Sequence, residues 1–263
     1  MKIHFFTIAY EAMPWITMHY PTMRQLQCDW EWHISEGPAA PVNDTSWCRP
    51  LPHGPSKDGT VEYLRHIASI DNRVRIYQKD MWEGKAPMCN VSMGAITEPT
   101  LVWEIDADEI WTVRQMETLR SLMQCEQVKK LAGLPDFNAA QFFCRCWMGP
   151  RVLITSINTY GNNTGYEWRR AWLAEPGFGF IAHEPPSPNQ EMRYMPHAVT
   201  KDSGLVFDHY SYATAKQVAF KEHYYGYGNA LAHWHRLQAN TVWPVRLREW
   251  LPWIHDEAVA TQV

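Results

Sequence analysis

The chain alternates short apolar runs with stretches in which apolar residues recur every three or four positions. Ile3–Ala9 predicts a buried first strand, and Met13 to about Leu26 predicts a helix that Pro21 interrupts. Trp30–Ile34 alternates as a second strand and runs into Ser35-Glu36-Gly37-Pro38. The stretch 38–57 is rich in Pro, Ser, Asn and Asp, so it reads as a long loop, and loops of that length in compact domains are often functional. A helix opens at Asp58-Gly-Thr60, with Asp58 placed as its N-cap and Val61, Leu64, Ile67 and Ala68 on one face. Arg73–Tyr77 is a third strand, and a further helix runs from about Met88 through Ile96. This alternation predicts a mostly parallel α/β sheet flanked by helices.

The acidic stretch that follows carries the first candidate chemistry. Leu101, Val102, Trp103 and Ile105 form a buried strand that ends in Asp106-Ala-Asp108-Glu109. Thr112-Val-Arg-Gln115 is a capping box that opens a helix near Val113. Carboxylates at the carboxyl end of a strand sit where open α/β sheets bind ligands. The D-x-D spacing lets Asp106 and Asp108 point the same way and hold a hard divalent cation, although a solvated acidic turn gives the same string. Glu36, at the end of the second strand, is placed to meet a ribose or base, or to serve as a turn residue. Lys85, after Gly84 at a helix start, is placed to meet a pyrophosphate.

Downstream, Phe137–Trp147 and Arg151–Ile157 predict two strands that turn at Met148-Gly-Pro150, with a polar loop over Asn158–Gly165. Glu184 lies between His183 and a Pro pair that fixes the backbone, the kind of held carboxylate a general base requires. Gly204–Phe207 predicts the last short strand, and His209 just beyond it is either a packed histidine or a third metal ligand. A second capping box, Thr214-Ala-Lys-Gln217, predicts one long helix toward Gln238, followed by a tail of short helices.

Composition narrows the classes. The 263 residues suit one large domain or somewhat more, and a formal net charge of -4 gives no reason to expect a nucleic-acid partner. The six cysteines include no C-x-x-C pair, and Cys144 and Cys146 share a strand face as packed thiols, so a reduced cytoplasmic setting is expected. No apolar run is long enough for a transmembrane segment, which leaves peripheral membrane contact open. Fourteen tryptophans suit either sugar rings or a core.

Taken in chain order, these segments resemble a glycosyltransferase of the GT-A (nucleotide-diphospho-sugar transferase) fold, similar to family 2 enzymes. The resemblance rests on Ile3–Ala9, the D-G-T at Asp58, Gly84-Lys85 with Asn90, Ile105-Asp106-Ala-Asp108-Glu109, His183-Glu184 and His209-Tyr-Ser-Tyr212. The last two resemble signatures of lipopolysaccharide-core and peptide S-glycosylating members. The chain departs from the family in having Ser35-Glu36-Gly37 where two adjacent acids are usual, and a longer segment before D-G-T. The resemblance implies a catalytic domain over residues 1–213 and a helical extension over 214–263 packed on it. It implies transfer of a sugar from a nucleotide-diphosphate donor, UDP-linked by default, to an acceptor hydroxyl on a glycan, lipid-linked or peptide acceptor, with inversion. Asp106, Asp108 and His209 would hold Mn²⁺ or Mg²⁺, Glu36, Asp58, Lys85 and Asn90 would contact the donor, and Glu184 would be the base, with Glu109 its runner-up. Two other readings remain: a nucleotidyltransferase, whose Gly-rich loop is missing after the first strand, and a non-catalytic carbohydrate-binding protein.

Overall fold

The computed structural model describes residues 1–156, 168–255 and 257–263; the expected loop over Asn158–Gly165 lies outside them. The first half contains strands β1 (Ile3–Ala9), β2 (Trp30–Glu36), β3 (Val74–Gln78), β4 (Thr100–Glu104) and β5 (Glu109–Ile110). Between them run helices α1 (His19–Met23), α2 (Thr60–Ile70) and α3 (Lys85–Asn90), and α4 (Val113–Leu131) follows. Next come β6 (Ala139–Phe142), β7 (Cys144–Gly149), β8 (Val152–Ile154), β9 (Trp168–Ala174), β10 (Phe180–His183), β11 (Pro186–Pro188) and β12 (Tyr194–Met195). The remainder is α5 (His197–Asp202), β13 (Phe207–His209), α6 (Ala215–Tyr224), α7 (Ala230–Gln238), β14 (Val245–Arg246) and β15 (Val259–Gln262).

The main sheet has seven strands in the order β12-β6-β9-β4-β1-β2-β3, and only β9 runs against the rest. The expected α/β class, a mostly parallel sheet flanked by helices, is therefore what the chain adopts. Ile3, Phe5, Trp32 and Trp103 pack on one face with Leu64 and Ile67 of α2 and Met116, Leu119 and Met123 of α4. Phe6, Val102 and Trp172 pack on the other face with Cys89 of α3 and Phe180. Every residue of β4 is buried, as a central parallel strand covered on both sides requires. A second sheet, β14-β15-β8-β7-β13-β5, stands beside the first.

Several expectations changed. The helix expected from Met88 to Ile96 is two pieces, α3 and a single turn at Met93–Ala95. The long helix expected from Thr214 breaks between α6 and α7, where Gly226 (φ 72°) and Asn229 (φ 55°) take the left-handed conformation that ends helices. β13 is not the last strand: the tail holds β14 and β15 among its turns, and β15 closes antiparallel on β8. Cys144 and Cys146 are buried thiols, not joined as a disulfide, on one face of β7, as expected. Among the described residues no helix is long and apolar enough to cross a membrane.

The turn from α2 into β3 is closed by Asp71, whose carboxylate accepts from the Arg73 backbone N–H (3.1 Å), Arg73 Nη2 (2.7 Å) and the Tyr20 hydroxyl (3.2 Å). The hydrogen bond from Arg73 is the largest influence holding the Asp71 carboxyl down, to about 2 from an ordinary 3.8. A depressed carboxyl stabilises the folded state above its unfolded pKa, and that contribution is lost as pH falls through the folded value. Asp71→Asn is expected to cost about 1 kcal/mol at pH 7, because Arg73 is partly solvated, and only a small part of that at pH 2, where the carboxyl is half protonated. Urea unfolding at the two pH values checks this.

Candidate active site

The chain runs β1-β2-β3 outward and then crosses back to place β4 on the other side of β1, so the carboxyl ends of β1 and β4 flank a topological switch point. The segments leaving these strands, around Glu11 and around Asp108, both line a cleft of about 1090 Å³. Ile105 N–H donates to Phe6 O (3.0 Å) and Thr7 Oγ1 donates to Ile105 O (2.6 Å), which fixes where the acidic turn leaves the sheet. Lys85, Asp106, Asp108, Glu184 and His209 all reach this cleft, although they come from four separate segments.

Asp108 pairs with His209, Oδ1 to Nε2 at 3.5 Å, and Gln217 Nε2 donates to its other oxygen at 3.2 Å. Burial opposes ionisation of Asp108, but the His209 imidazole, with Lys221, more than offsets this and holds the carboxyl well below the usual range. Burial likewise works against a charged His209, and Asp108 more than compensates, so its pKa is raised. Gln217 is the N3 residue of the α6 capping box, so the box that starts α6 also orients Asp108.

Asp106 has a different neighbour. Arg170 of β9 reaches it at 3.0 Å from Nη2 and grips Glu109 through Nη2 (2.7 Å) and Nε (2.9 Å). Glu104 of β4 lies 3.6 Å from the same guanidinium, and its Oε1 is 2.5 Å from His183 Nε2. One guanidinium cannot balance three carboxylates, of which Glu104 and Glu109 are fully buried and Asp106 faces the cleft. Burial pushes Glu109 up to about 7 and the charge of Asp106 adds to it, against the pull of Arg170. Burial also raises Asp106.

This arrangement does not gather the donors of the expected metal trio into one cluster. The donors of Asp106, Asp108 and His209 do not fall within 4.8 Å of one another, whereas those of Glu104, Asp106 and His183 do. The physical reason is Arg170, which holds Asp106 on the β9 side while Asp108 turns to His209. Among the described residues Glu104 Oε2, His183 Nδ1 and His209 Nδ1 are buried with no hydrogen-bond partner. Unspent carboxylate and imidazole atoms with surplus negative charge fit a divalent cation, so the donor chemistry matches the expected metal. A second cluster, His4, Glu31 and His33, lies nearer the opposite end of the strands. Its imidazoles stack at 4.0 Å and 15°, so no single cation can lie in both ring planes.

Lys85 and Glu184 form an ion pair with each other. Burial disfavours the charged form of each, yet their mutual attraction raises the Lys85 pKa and lowers that of Glu184. The expected pyrophosphate partner and the expected base thus neutralise one another in this state. The backbone amides of His183 and Glu184 donate to Asp44 Oδ2 at 2.7 and 2.8 Å, so the long 38–57 loop positions Glu184.

The remaining expected donor contacts lie off the cleft wall. Asn90 clamps Phe180 of β10, accepting from its N–H (2.7 Å) and donating to its carbonyl (2.8 Å), so it sets the strand that leads to Glu184. Glu36 is fully buried and accepts from Ser56 N–H at 2.8 Å; it is the next residue, Gly37, that lines the cleft. A side chain at Gly37 would meet Lys79 O at 2.2 Å, and φ is 124° there, so only glycine fits. Asp58 does not cap α2 directly, since the N-cap is Gly59; it accepts from Met13 N–H (2.9 Å) and Thr60 N–H (3.1 Å) and pairs with Lys216 of α6 (2.5 Å).

Sequence reasoning missed Arg170, Glu104 and Asp44. Arg170 and Glu104 carried a usable signal: each is a charged residue inside an apolar strand, and a buried charge requires an opposite partner. Asp44 sits in a polar loop where nothing singles it out.

No family model and no curated protein matches the chain. Among solved structures it is similar to S. aureus TarS. For residues 1–349 of that protein the identity is 12% and the TM-score 0.38, covering 56% of this chain and 36% of that one. A longer TarS structure gives 11% and 0.37, over 56% and 22%. The 1–349 form in complex with UDP-GlcNAc gives 12% and 0.36, over 56% and 35%. The chain thus spans about a third or less of those proteins' length. A likeness this slight leaves the reading of the site to its own geometry.

Proposed function

We propose that this chain is a glycosyltransferase that moves a sugar from a nucleotide-diphosphate donor to an acceptor hydroxyl, with inversion. The observation that carries the reading is the meeting of Asp106, Asp108, His209, Lys85 and Glu184 in one cleft at the β1/β4 switch point. Asp108 and His209, with Asp106, would hold Mn²⁺ or Mg²⁺, which supplies Lewis-acid stabilisation of the departing diphosphate. Gln217 and Arg170 orient the two aspartates.

Glu184 is the base. Paired with Lys85 it is a weak one, because that partner favours its ionised form. A donor diphosphate draws Lys85 away, the carboxylate regains its basicity, and it accepts the proton of the acceptor hydroxyl while Asp44 keeps its backbone fixed. Glu109, spent on Arg170, has no free carboxylate edge for that task.

Thermal-shift titration with UDP, GDP and UDP-GlcNAc, with and without Mn²⁺, tests the reading. Binding to the native state alone raises the melting temperature by mass action. The expected result is stabilisation by one nucleotide that depends on Mn²⁺, with slow donor hydrolysis. No shift with any nucleotide would overturn the transferase reading, and a shift without turnover would favour a binding protein.

A further inference from the structure

Six of the fourteen tryptophans, Trp30, Trp32, Trp82, Trp103, Trp111 and Trp172, are fully buried core. Four others line the cleft, Trp15, Trp47, Trp168 and Trp253. Two of these four begin and end a run of neighbouring rings, two stacked pairs joined by a Tyr225–Tyr227 contact tilted at 38°. Trp47 lies on Tyr225 at 5.2 Å and 18°, Tyr225 is 5.5 Å from Tyr227, and Tyr227 lies on Trp253 at 5.3 Å and 5°. All four rings line the same cleft as the acids.

This shelf adjoins the proposed base. Tyr224, next to Tyr225 in the chain, has Lys85 Nζ 5.6 Å from its ring centroid, and Lys85 is the partner of Glu184. Burial, and after it the charge of Glu184, raises the Tyr225 hydroxyl pKa. The shelf is not a sealed core, for Trp47 is 57% exposed although its neighbours hold it in place. Its indole N–H donates to Asp44 O at 3.0 Å, in the loop that also grips Glu184. Charged and polar groups are interleaved with the rings: Lys221 Nζ stands 5.7 Å from the Tyr225 ring, and the Trp253 indole N–H is buried with no partner among the described residues.

We infer that the run Trp47–Tyr225–Tyr227–Trp253 is the acceptor subsite and that the acceptor is a carbohydrate. A pyranose offers an apolar C–H face and a rim of hydroxyls, which match flat aromatic faces interleaved with polar groups. A lipid chain would call for mainly aliphatic walls, whereas here Trp47, Tyr225, Tyr227 and Trp253 stand among only a few aliphatic residues such as Leu51 and Ile254. Seated on the shelf, a sugar places a hydroxyl beside Glu184, where the transfer reading needs it. The inference rests on that reading for its role, while the binding itself can be measured alone.

The test is saturation-transfer NMR with methyl pyranosides and with β- and α-linked disaccharides, on the wild type, Trp47→Ala, Trp47→Phe and Asp108→Ala. Binding is expected in the wild type, weakened at least tenfold in Trp47→Ala, largely restored in Trp47→Phe, and kept in Asp108→Ala. Trp47 lies at the surface, so its replacement leaves the core packed. No saturation of any glycan, equal binding by Trp47→Ala, or binding of hydroxyl peptides or polyprenyl phosphate instead would overturn the assignment. Glycan binding by a wild-type protein that binds no sugar nucleotide would keep the shelf and sink the transferase reading.

Discussion

Asp108→Ala is expected to lower sugar transfer by about 10³-fold or more and to abolish the Mn²⁺-dependent part of donor affinity. Two losses combine in that variant. The cation loses a ligand whose ionised form His209 and Lys221 favour, and His209 loses the partner that raises its pKa. Glu184→Gln separates the steps: donor affinity should persist, while transfer falls by about 10²–10⁴-fold as the base is removed. Isothermal titration with the donor, paired with a transfer assay, distinguishes the two. Equal loss of donor affinity in both variants would sink the division of roles. So would transfer by Asp108→Ala within tenfold of the wild type.

That division of roles was partly legible in the residues. The D-x-D string stood between a buried run and a capping box, two local signals strong enough to set strand, turn and helix. Local signals also marked β1, β2 and the start of α6 within a residue or two. What they could not carry was which side chain turns to which. Asp106 and Asp108 were expected to face one cation, and nothing near them in sequence announces that Arg170, on a strand running the other way, would claim the first. Lys85 and Glu184 were each placed by their own neighbourhood, and their pairing across 99 positions belongs to the tertiary fold. Asn90, from a family pattern, and Glu36, from its place at a strand end, were expected as donor contacts, yet their hydrogen bonds hold Phe180 and Ser56. Pattern identifies positions that matter; only packing tells whether a side chain touches the ligand or holds what does. The α6–α7 break was legible in principle, since Gly226 and Gly228 stand within three positions of each other. The helical period on either side outweighed them.

The second large effect concerns Arg170. Arg170→Met is expected to destabilise the protein by about 3–5 kcal/mol, because Glu104, Asp106 and Glu109 would lose the guanidinium that pairs with all three. For a chain of this size that is a fall in melting temperature of roughly 10 °C. The cost is that of uncompensated buried charge rather than of lost packing, since methionine nearly fills the arginine stem's volume. Two consequences separate these causes. Arg170→Lys should recover part of the loss, having the charge but not the fork that reaches Asp106 and Glu109 together. Mn²⁺ should raise the melting temperature of Arg170→Met more than that of the wild type, because a divalent ion can take over the neutralisation that Arg170 performs. If Arg170→Met melts with the wild type, the three carboxylates do not depend on this guanidinium. If Mn²⁺ stabilises both proteins equally, the acids around Arg170 are not where the cation binds, and the metal belongs with Asp108 and His209 alone.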